Sequence, residues 1–323
     1  MEDLKSLDTY FKLMTMNGSA YVFNIAHKMN FFKVLAENDK IDASEVATKL
    51  SYHKKPTELI LETLESLNVI HSENGKYSLS PVARMLTGNY ENLSSDYWEH
   101  LPTYLMEGVP YKKMDSAEDS EKEYQTQVKS LEWMMKPSAA SLATIIQCPK
   151  NINILDVGAG SGVWSFAFLN KDDSSTATLA DWPAVLEVAK ASAKEQTIDQ
   201  RVSYIEGNYH ETTFPEDHFD ICTLGNVTHL ETEEGCQALF SKIAKALKSG
   251  GKIIILDTFS EDDRGEVAKS LYKLGLAIRT VSGVVYPKEK LTEWLKTCGF
   301  DNFSFHNLDV TPYTVGALVA EKK

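Results

Sequence analysis

The chain has 323 residues, 43% hydrophobic and 24% charged, with a formal net charge of −13. That length holds two domains or one large one, the composition is that of an ordinary soluble protein, and the negative balance argues against a nucleic-acid partner held by a general electrostatic footprint, though not against a small local patch. The start, Met1-Glu2-Asp3-Leu4-Lys5, lacks the basic and apolar parts of a signal peptide, and no apolar run approaches the ~20 residues of a membrane span.

Residues 8 to 36 carry apolar side chains at helical spacing, among them Tyr10, Phe11, Leu13, Met14, Val22, Ile25, Met29 and Phe32, and Gly18-Ser19 is expected to divide them into two helices. In Asp42-Ala43-Ser44-Glu45, Asp42 is placed as an N-cap with Glu45 as its capping-box partner. Pro56 starts a further helix through Leu67. Val69-Ile70-His71 and Lys76-Tyr77-Ser78-Leu79 flank Asn74-Gly75, a pair suited to a type I′ hairpin. Helices followed by a hairpin give a winged-helix order. The helix that would enter a DNA groove carries Glu58, Glu62 and Glu65 with no Lys or Arg after Lys55, which argues against DNA binding.

Residues 91–147 form a helical connection in which Leu131, Met134, Met135, Ser138, Leu142 and Ile145 recur at helical spacing, a core stripe by default. From Ile152 the chain alternates strand-like runs (Ile152–Val157, Thr176–Ala180, Val202–Ile205, Phe219–Leu224, Lys252–Leu256) with helical stretches such as Ala184–Lys194 and Glu233–Lys248. Alternation of this kind predicts a parallel sheet covered on both faces. Phe303–His306 and Thr314–Ala320, joined through Asp309-Val310-Thr311-Pro312, have no helix between them and predict an antiparallel hairpin at the sheet edge. The four cysteines, Cys148, Cys222, Cys236 and Cys298, are spread without a C-x-x-C pair, as expected of free thiols in a reducing cytoplasm.

The first of these strands ends in Asp156-Val157-Gly158-Ala159-Gly160-Ser161-Gly162, and an apolar helical stretch begins at Val163. Strand, glycine turn and helix N-terminus together make a nucleoside cradle, since glycine allows positive φ and close backbone approach. Asp181, at the end of the second strand, can accept hydrogen bonds from a ribose diol, a feature that NAD and other nucleoside cofactors share.

The segment Asp156–Gly162 resembles motif I of the class I S-adenosylmethionine (SAM) methyltransferases, and the helical module before it resembles the dimerisation domain of the larger small-molecule O-methyltransferases. The resemblance implies a Rossmann-like α/β sheet with a C-terminal antiparallel hairpin, preceded by a mainly helical winged-helix dimerisation domain. The expected divisions are 1–90 for dimerisation, 91–147 for a linker contributing to the acceptor pocket, and 148–323 for the SAM-binding catalytic domain. It places Asp156 near the methionyl end of SAM, with Gly158, Gly160 and Gly162 in the cradle. Asp181 falls on the ribose ligand. Trp182, in Asp181-Trp182-Pro183, either stacks on adenine or packs against its own helix. Asn208 stands where the family has an acid facing the adenine amino group, followed by Tyr209, and Gly225 opens the segment after the fourth strand.

In Gly225-Asn226-Val227-Thr228-His229-Leu230-Glu231, His229 falls on the general-base histidine of the family, and Asp257 matches the acid that orients it. Leu230 replaces the usual Asp, and Gly283-Val284-Val285-Tyr286-Pro287 offers no second carboxylate, so His229 is read as a base or as a pocket wall. The resemblance draws the acceptor pocket from Tyr104, Trp133 and Met134, with Tyr97 and Trp98 nearby. Arg279 is either a carboxylate ligand in that pocket or a solvated helix end. No His or Cys cluster has metal-ligand spacing, and no metal is expected. The resulting expectation is a cytoplasmic homodimer that methylates a small aromatic or polyketide-like metabolite, most simply at a hydroxyl oxygen. C- or N-methylation, and a SAM-binding relative with decarboxylase, hydroxylase or pericyclase chemistry, are the alternatives.

Overall fold

In the computed structural model, residues 2–86, 90–116, 119–259, 266–308 and 315–323 are described. The chain divides into two compact units, Met1–Asp96 and Tyr97–Lys323.

The first unit contains α1 (Glu2–Lys28), α2 (Phe31–Glu37), β1 (Ile41–Asp42), α3 (Ala43–Leu50), α4 (Lys54–Ser66), β2 (Ile70–Glu73), β3 (Lys76–Leu79) and α5 (Pro81–Met85). The helix break expected at Gly18-Ser19 lies instead at Met29-Asn30, where Asn30 takes a left-handed φ of 63°. A single glycine costs a helix only about 1 kcal/mol, and α1 continues through it. Asp42 caps α3 by accepting from the N–H groups of Ser44 and Glu45, while the Glu45 carboxylate accepts from the Asp42 N–H, the full capping box. α4 begins two residues before Pro56, where a missing N–H costs no bond because the first-turn donors have no helical partner. Asn74 and Gly75 both hold positive φ, 53° and 74°, as the tight hairpin requires. The three short strands pair in the order β1-β3-β2, and the core gathers Ala26, Phe31, Val34, Leu35, Ile41, Val46, Leu61, Leu64 and Ile70.

α6 (Ser95–Glu99) carries the boundary between the units. The second unit continues with α7 (Leu101–Glu107), α8 (Ser120–Ile145), β4 (Asn153–Val157), α9 (Val163–Leu169), β5 (Thr176–Asp181), α10 (Pro183–Glu195), β6 (Val202–Glu206), β7 (Phe219–Gly225), α11 (Glu233–Ala246), β8 (Leu247–Asp257), α12 (Glu266–Arg279), α13 (Lys288–Thr297), β9 (Phe300–Asn307) and β10 (Gly316–Lys322). Its sheet runs β6-β5-β4-β7-β8-β10-β9. The β6-to-β8 portion is parallel, and β10 lies antiparallel to both β8 and β9. The hairpin is therefore present, while its connection through Asp309–Pro312 lies outside the described residues.

Alternate residues of each strand feed two core layers. Ile154 packs with Phe166, Leu169, Leu179 and Leu186 on one face, and Leu155 and Val157 pack with Phe240, Ile255 and Leu295 on the other. The stretch 91–147 gives the second unit its longest helix, α8, which packs on α9 and α10. Ala184 N–H donates to Glu121 at 2.8 Å and Ser192 Oγ donates to Glu132 at 2.8 Å, fastening α8 to α10 at two points. This covers the carboxyl ends of β4 and β5, where an open α/β sheet binds its ligands.

Candidate active site

The turn after β4 holds Gly158, Gly160 and Gly162 at φ of 64°, 57° and 77°. A Cβ on Gly158 would stand 2.5 Å from Val227 Cγ2, and one on Gly162 would stand 2.6 Å from the Phe166 ring, so both backbone shape and space exclude a side chain. The turn is fixed to β5, with Gly158 N–H donating to Ala180 O at 2.9 Å and Gly160 N–H donating to Asp181 Oδ2 at 2.8 Å. Asp181 Oδ1 accepts from Trp182 N–H at 2.7 Å. Burial raises the Asp181 pKa to about 6 against these two donors.

A cleft of about 700 Å³, its open mouth included, lies over this turn. Gly158, Gly160, Asp181, Trp182, Tyr209 and Gly225 line it, six of the positions expected to face a cofactor. Asn208 lines an adjoining cleft with Trp182, Tyr209, His210 and Glu231. The Trp182 indole neither floats free nor simply rests on its own helix, because its Nε1–H donates to Ser120 Oγ at 3.1 Å.

Asp156 is placed differently from the sequence expectation. It is fully buried behind the turn, and both oxygens are engaged: Oδ1 accepts from Thr223 Oγ1 at 2.7 Å, and Oδ2 from Ser165 Oγ at 2.6 Å and Ser165 N–H at 3.4 Å. Burial raises its pKa to about 6, opposed by those hydrogen bonds. Gly162, the N-cap of α9, likewise supports the turn from behind.

His229 and Asp257 come together. His229 Nδ1 lies 2.7 Å from Asp257 Oδ1, which also accepts from Thr258 N–H at 2.8 Å. Asp257 Oδ2 accepts from Thr228 Oγ1 at 2.6 Å and from His229 N–H at 3.3 Å. Both side chains of the pair are buried, His229 at 7% exposure and Asp257 at 3%. The segment 283–287 meets this turn through its backbone, Val284 N–H donating to His229 O at 2.9 Å. Val227 and Leu230, on either side of His229, line the cleft.

The four acceptor-pocket expectations do not converge on either cleft. The face of α8 that lines the first cleft carries Tyr124, Val128, Leu131 and Met135, spaced as one helical stripe, so Trp133 projects outward and Met134 packs into the core beside Met135. Tyr104 is half-buried on α7. Arg279 turns back on its own helix, Nε–H donating to Gly275 O at 2.9 Å with the guanidinium 5.8 Å from the Tyr97 ring centre. Sequence reasoning also missed Ser161 and Trp164 as lining residues. Gly225 was the available signal, since a Cβ there would collide with the Trp164 indole. No group of His, Cys, Asp and Glu suited to a metal ion occurs among the described residues.

A glycine-lined cleft at the carboxyl ends of parallel strands, in a sheet that ends in an antiparallel pair, with a buried His–Asp pair on a turn whose neighbours line the cleft, defines a Rossmann-like α/β domain. The chain matches the O-methyltransferase domain over residues 98–301 and the O-methyltransferase dimerisation domain over residues 12–89. It belongs to the SAM-dependent small-molecule O-methyltransferases. Acetylserotonin O-methyltransferase of Bos taurus is 27% identical over 288 residues, covering 79% of this chain and 81% of that protein. The 3-hydroxy-5-methyl-1-naphthoate 3-O-methyltransferase of Streptomyces sahachiroi is 23% identical over 292 residues, covering 85% and 84%. Among solved structures, human N-acetylserotonin methyltransferase in complex with SAM shares the fold at a TM-score of 0.76 and 21% identity, over 100% of this chain and 98% of that one.

The raised pKa of Asp156 has a thermodynamic consequence. The native state binds that proton more tightly than the unfolded chain, whose carboxyl keeps a value near 3.8. The contribution to stability is therefore fully present below about pH 4 and is lost as pH rises through about 6, a swing of roughly 3 kcal/mol. Replacing Asp156 with Asn removes the titration. Denaturant melts from pH 4.5 to 7.5 should show the wild-type stability falling relative to Asp156→Asn as pH rises, and a constant difference would contradict the assignment.

Proposed function

We propose that this chain transfers a methyl group from SAM to a hydroxyl oxygen of a small aromatic or polyketide-like metabolite, with His229 as general base and Asp257 as its orienting acid. The observation that carries this reading is the 2.7 Å contact between His229 Nδ1 and Asp257 Oδ1. A carboxylate on Nδ1 favours the tautomer with its proton there, leaving the Nε2 lone pair free to take a proton. Asp257 is itself held by Thr228, Thr258 and the His229 backbone, so the imidazole is oriented before an acceptor arrives. Burial of both partners strengthens the interaction between the carboxylate and the imidazolium that forms on proton uptake.

The cleft fits SAM by its own chemistry. The bare backbone at Gly158 and Gly160 permits close approach of a ligand, and Asp181 keeps unused lone pairs for a ribose diol after accepting two N–H groups. Trp182, Tyr209 and Val185 offer flat or apolar surface to a base. When bound, SAM supplies an activated methyl group on a sulfonium. The protein then has to orient the acceptor, exclude water and receive one proton at His229 Nε2.

The reading includes a homodimer, supported by the matched dimerisation domain and by α1. Leu4, Leu7, Phe11, Met14 and Tyr21 are all exposed on that helix. They follow alternating spacings of three and four, with Gly18 in the same register, the seam of a helix that packs against another. The reading also places the protein in the cytoplasm, consistent with four free cysteines; no described helix is long and apolar enough to cross a membrane.

Three measurements test these assignments. Asp181→Ala should weaken SAM binding at least about tenfold through loss of charged hydrogen bonds, and calorimetry showing unchanged affinity would refute the ribose assignment. His229→Ala should bind SAM normally yet lose roughly 10²- to 10⁴-fold in S-adenosylhomocysteine release with a hydroxylated aromatic acceptor. Turnover retained at the wild-type level would rule out the base. Phe11→Glu with Met14→Glu should sediment as a monomer, and a surviving dimer would move the interface elsewhere.

A further inference from the structure

The imidazole of His229 has a second polar neighbour. Tyr272, on α12, places its hydroxyl oxygen 3.4 Å from His229 Nδ1, on the nitrogen that already faces Asp257. The two rings stand nearly perpendicular, at 85° with centres 5.9 Å apart. The contact is long for a primary hydrogen bond, and Asp257 holds the shorter one. The geometry is that of a shared donor, one N–H serving a near carboxylate and a more distant phenol oxygen. The tyrosine ring thus packs edge-on against the imidazole.

Among the described residues this position falls to Tyr272. Residues 283–287 contain no carboxylate and touch His229 through the Val284 N–H, and the residue after the histidine is Leu230. Other titratable groups near the turn are committed elsewhere. Cys236, on α11, donates its thiol to Thr228 O at 3.7 Å, with burial pushing its pKa up. The Glu231 carboxylate accepts from Tyr209 and His210. Lys269, one turn before Tyr272 on α12, pairs with Glu266. Among the described residues, Asp257 and Tyr272 make side-chain polar contact with the imidazole, from β8 and α12 respectively.

We propose that Tyr272 is a positioning residue for His229: its phenol oxygen accepts a share of the Nδ1–H, holding the ring against Asp257 and stabilising the imidazolium. This rests on the general-base reading above. In the step it supports, the acceptor O–H bond breaks and its proton goes to His229 Nε2. The Nδ1 proton stays in place, and the positive charge is shared between Asp257 and the phenol dipole. Hydrogen bonds of this kind strengthen when the donor is ionised. Removing the oxygen alone should therefore weaken the hold on the Nδ1–H and leave the packing intact.

The experiment needs no acceptor. The protein is labelled with 15N at histidine and its ring resonances are followed by NMR, with the His229 signals assigned by their disappearance in His229→Gln. In Tyr272→Phe the His229 Nδ1–H signal should move, because one of the two oxygens facing that nitrogen is gone. The ring signals of His210 and His218, and the melting temperature, should stay where they are. An unchanged His229 Nδ1–H signal in a folded Tyr272→Phe protein overturns the proposal, as does a change shared by the other histidines. Tyr272→Leu, which removes ring and hydroxyl together, should broaden or split the His229 signal, and a sharp wild-type-like signal also counts against positioning. Failure of the base reading is separable, because His229→Ala turnover reports on that reading alone while the Nδ1–H signal reports on the Tyr272–His229 contact.

Discussion

The buried carboxylate of Asp156 joins the three elements from which the cofactor cleft is built. It sits at the end of β4, accepts from Thr223 on the neighbouring strand β7, and accepts from both the hydroxyl and the N–H of Ser165 in the first turn of α9. The N-cap of α9 is Gly162, which has no side chain to satisfy the exposed donors of that turn. Asp156 does so from across the loop, with a negative charge at the positive end of the helix. The three glycines can then bend without support from side chains of their own. Burying a carboxylate is costly, as its raised pKa records. The loop geometry is what that cost maintains.

A second carboxylate extends the same plan to the open side of the loop. Asp181 binds Gly160 and Trp182 through their N–H groups and still faces the cleft, so it shapes the wall and remains available to a ligand. Trp182 continues outward to Ser120, and Ala184 to Glu121, which carries the positioning from β5 to the start of α8. The cleft is therefore a strand-anchored cradle roofed by a helix from an earlier part of the chain. The site that binds and the helix that covers it share one hydrogen-bond network.

Most of this architecture was legible in local sequence pattern. The glycine spacing, the acid at the end of β5, the alternation of strands and helices, the final hairpin and the Asp42–Glu45 capping box all depend on residues close together in the chain, and each appears where local chemistry puts it. What was not legible depends on partners far away. The direction of Asp156 is set by strand alternation, which turns it toward α9 and away from the cleft, and by Ser165 and Thr223, whose roles have no local signal. The inward face of α8 was misjudged because the helix carries apolar residues on more than one side. Only packing against α9 and α10 selects Tyr124, Val128, Leu131 and Met135 over Trp133 and Met134. Arg279 was open between a carboxylate ligand and a solvated helix end, and it turns back to a carbonyl of its own helix beside the Tyr97 ring.

The glycine cradle and the His229–Asp257 pair occupy different strand ends. The cradle at β4 and β5 is mostly backbone, the form that suits close approach of a nucleoside. The His229–Asp257 pair, after β7 and at the end of β8, is all side chain, the form that the proposed proton transfer needs. Asp257 is the last residue of a buried strand and holds four donors, so its oxygens have little freedom to move. A carboxylate on Nδ1 favours the tautomer with its proton there. In the proposed arrangement a side chain from another element, reaching the same nitrogen at an angle, adds a second hold on the ring. α12 is suited to supply it, since the chain returns there after β8 to pack beside the turn that bears the histidine.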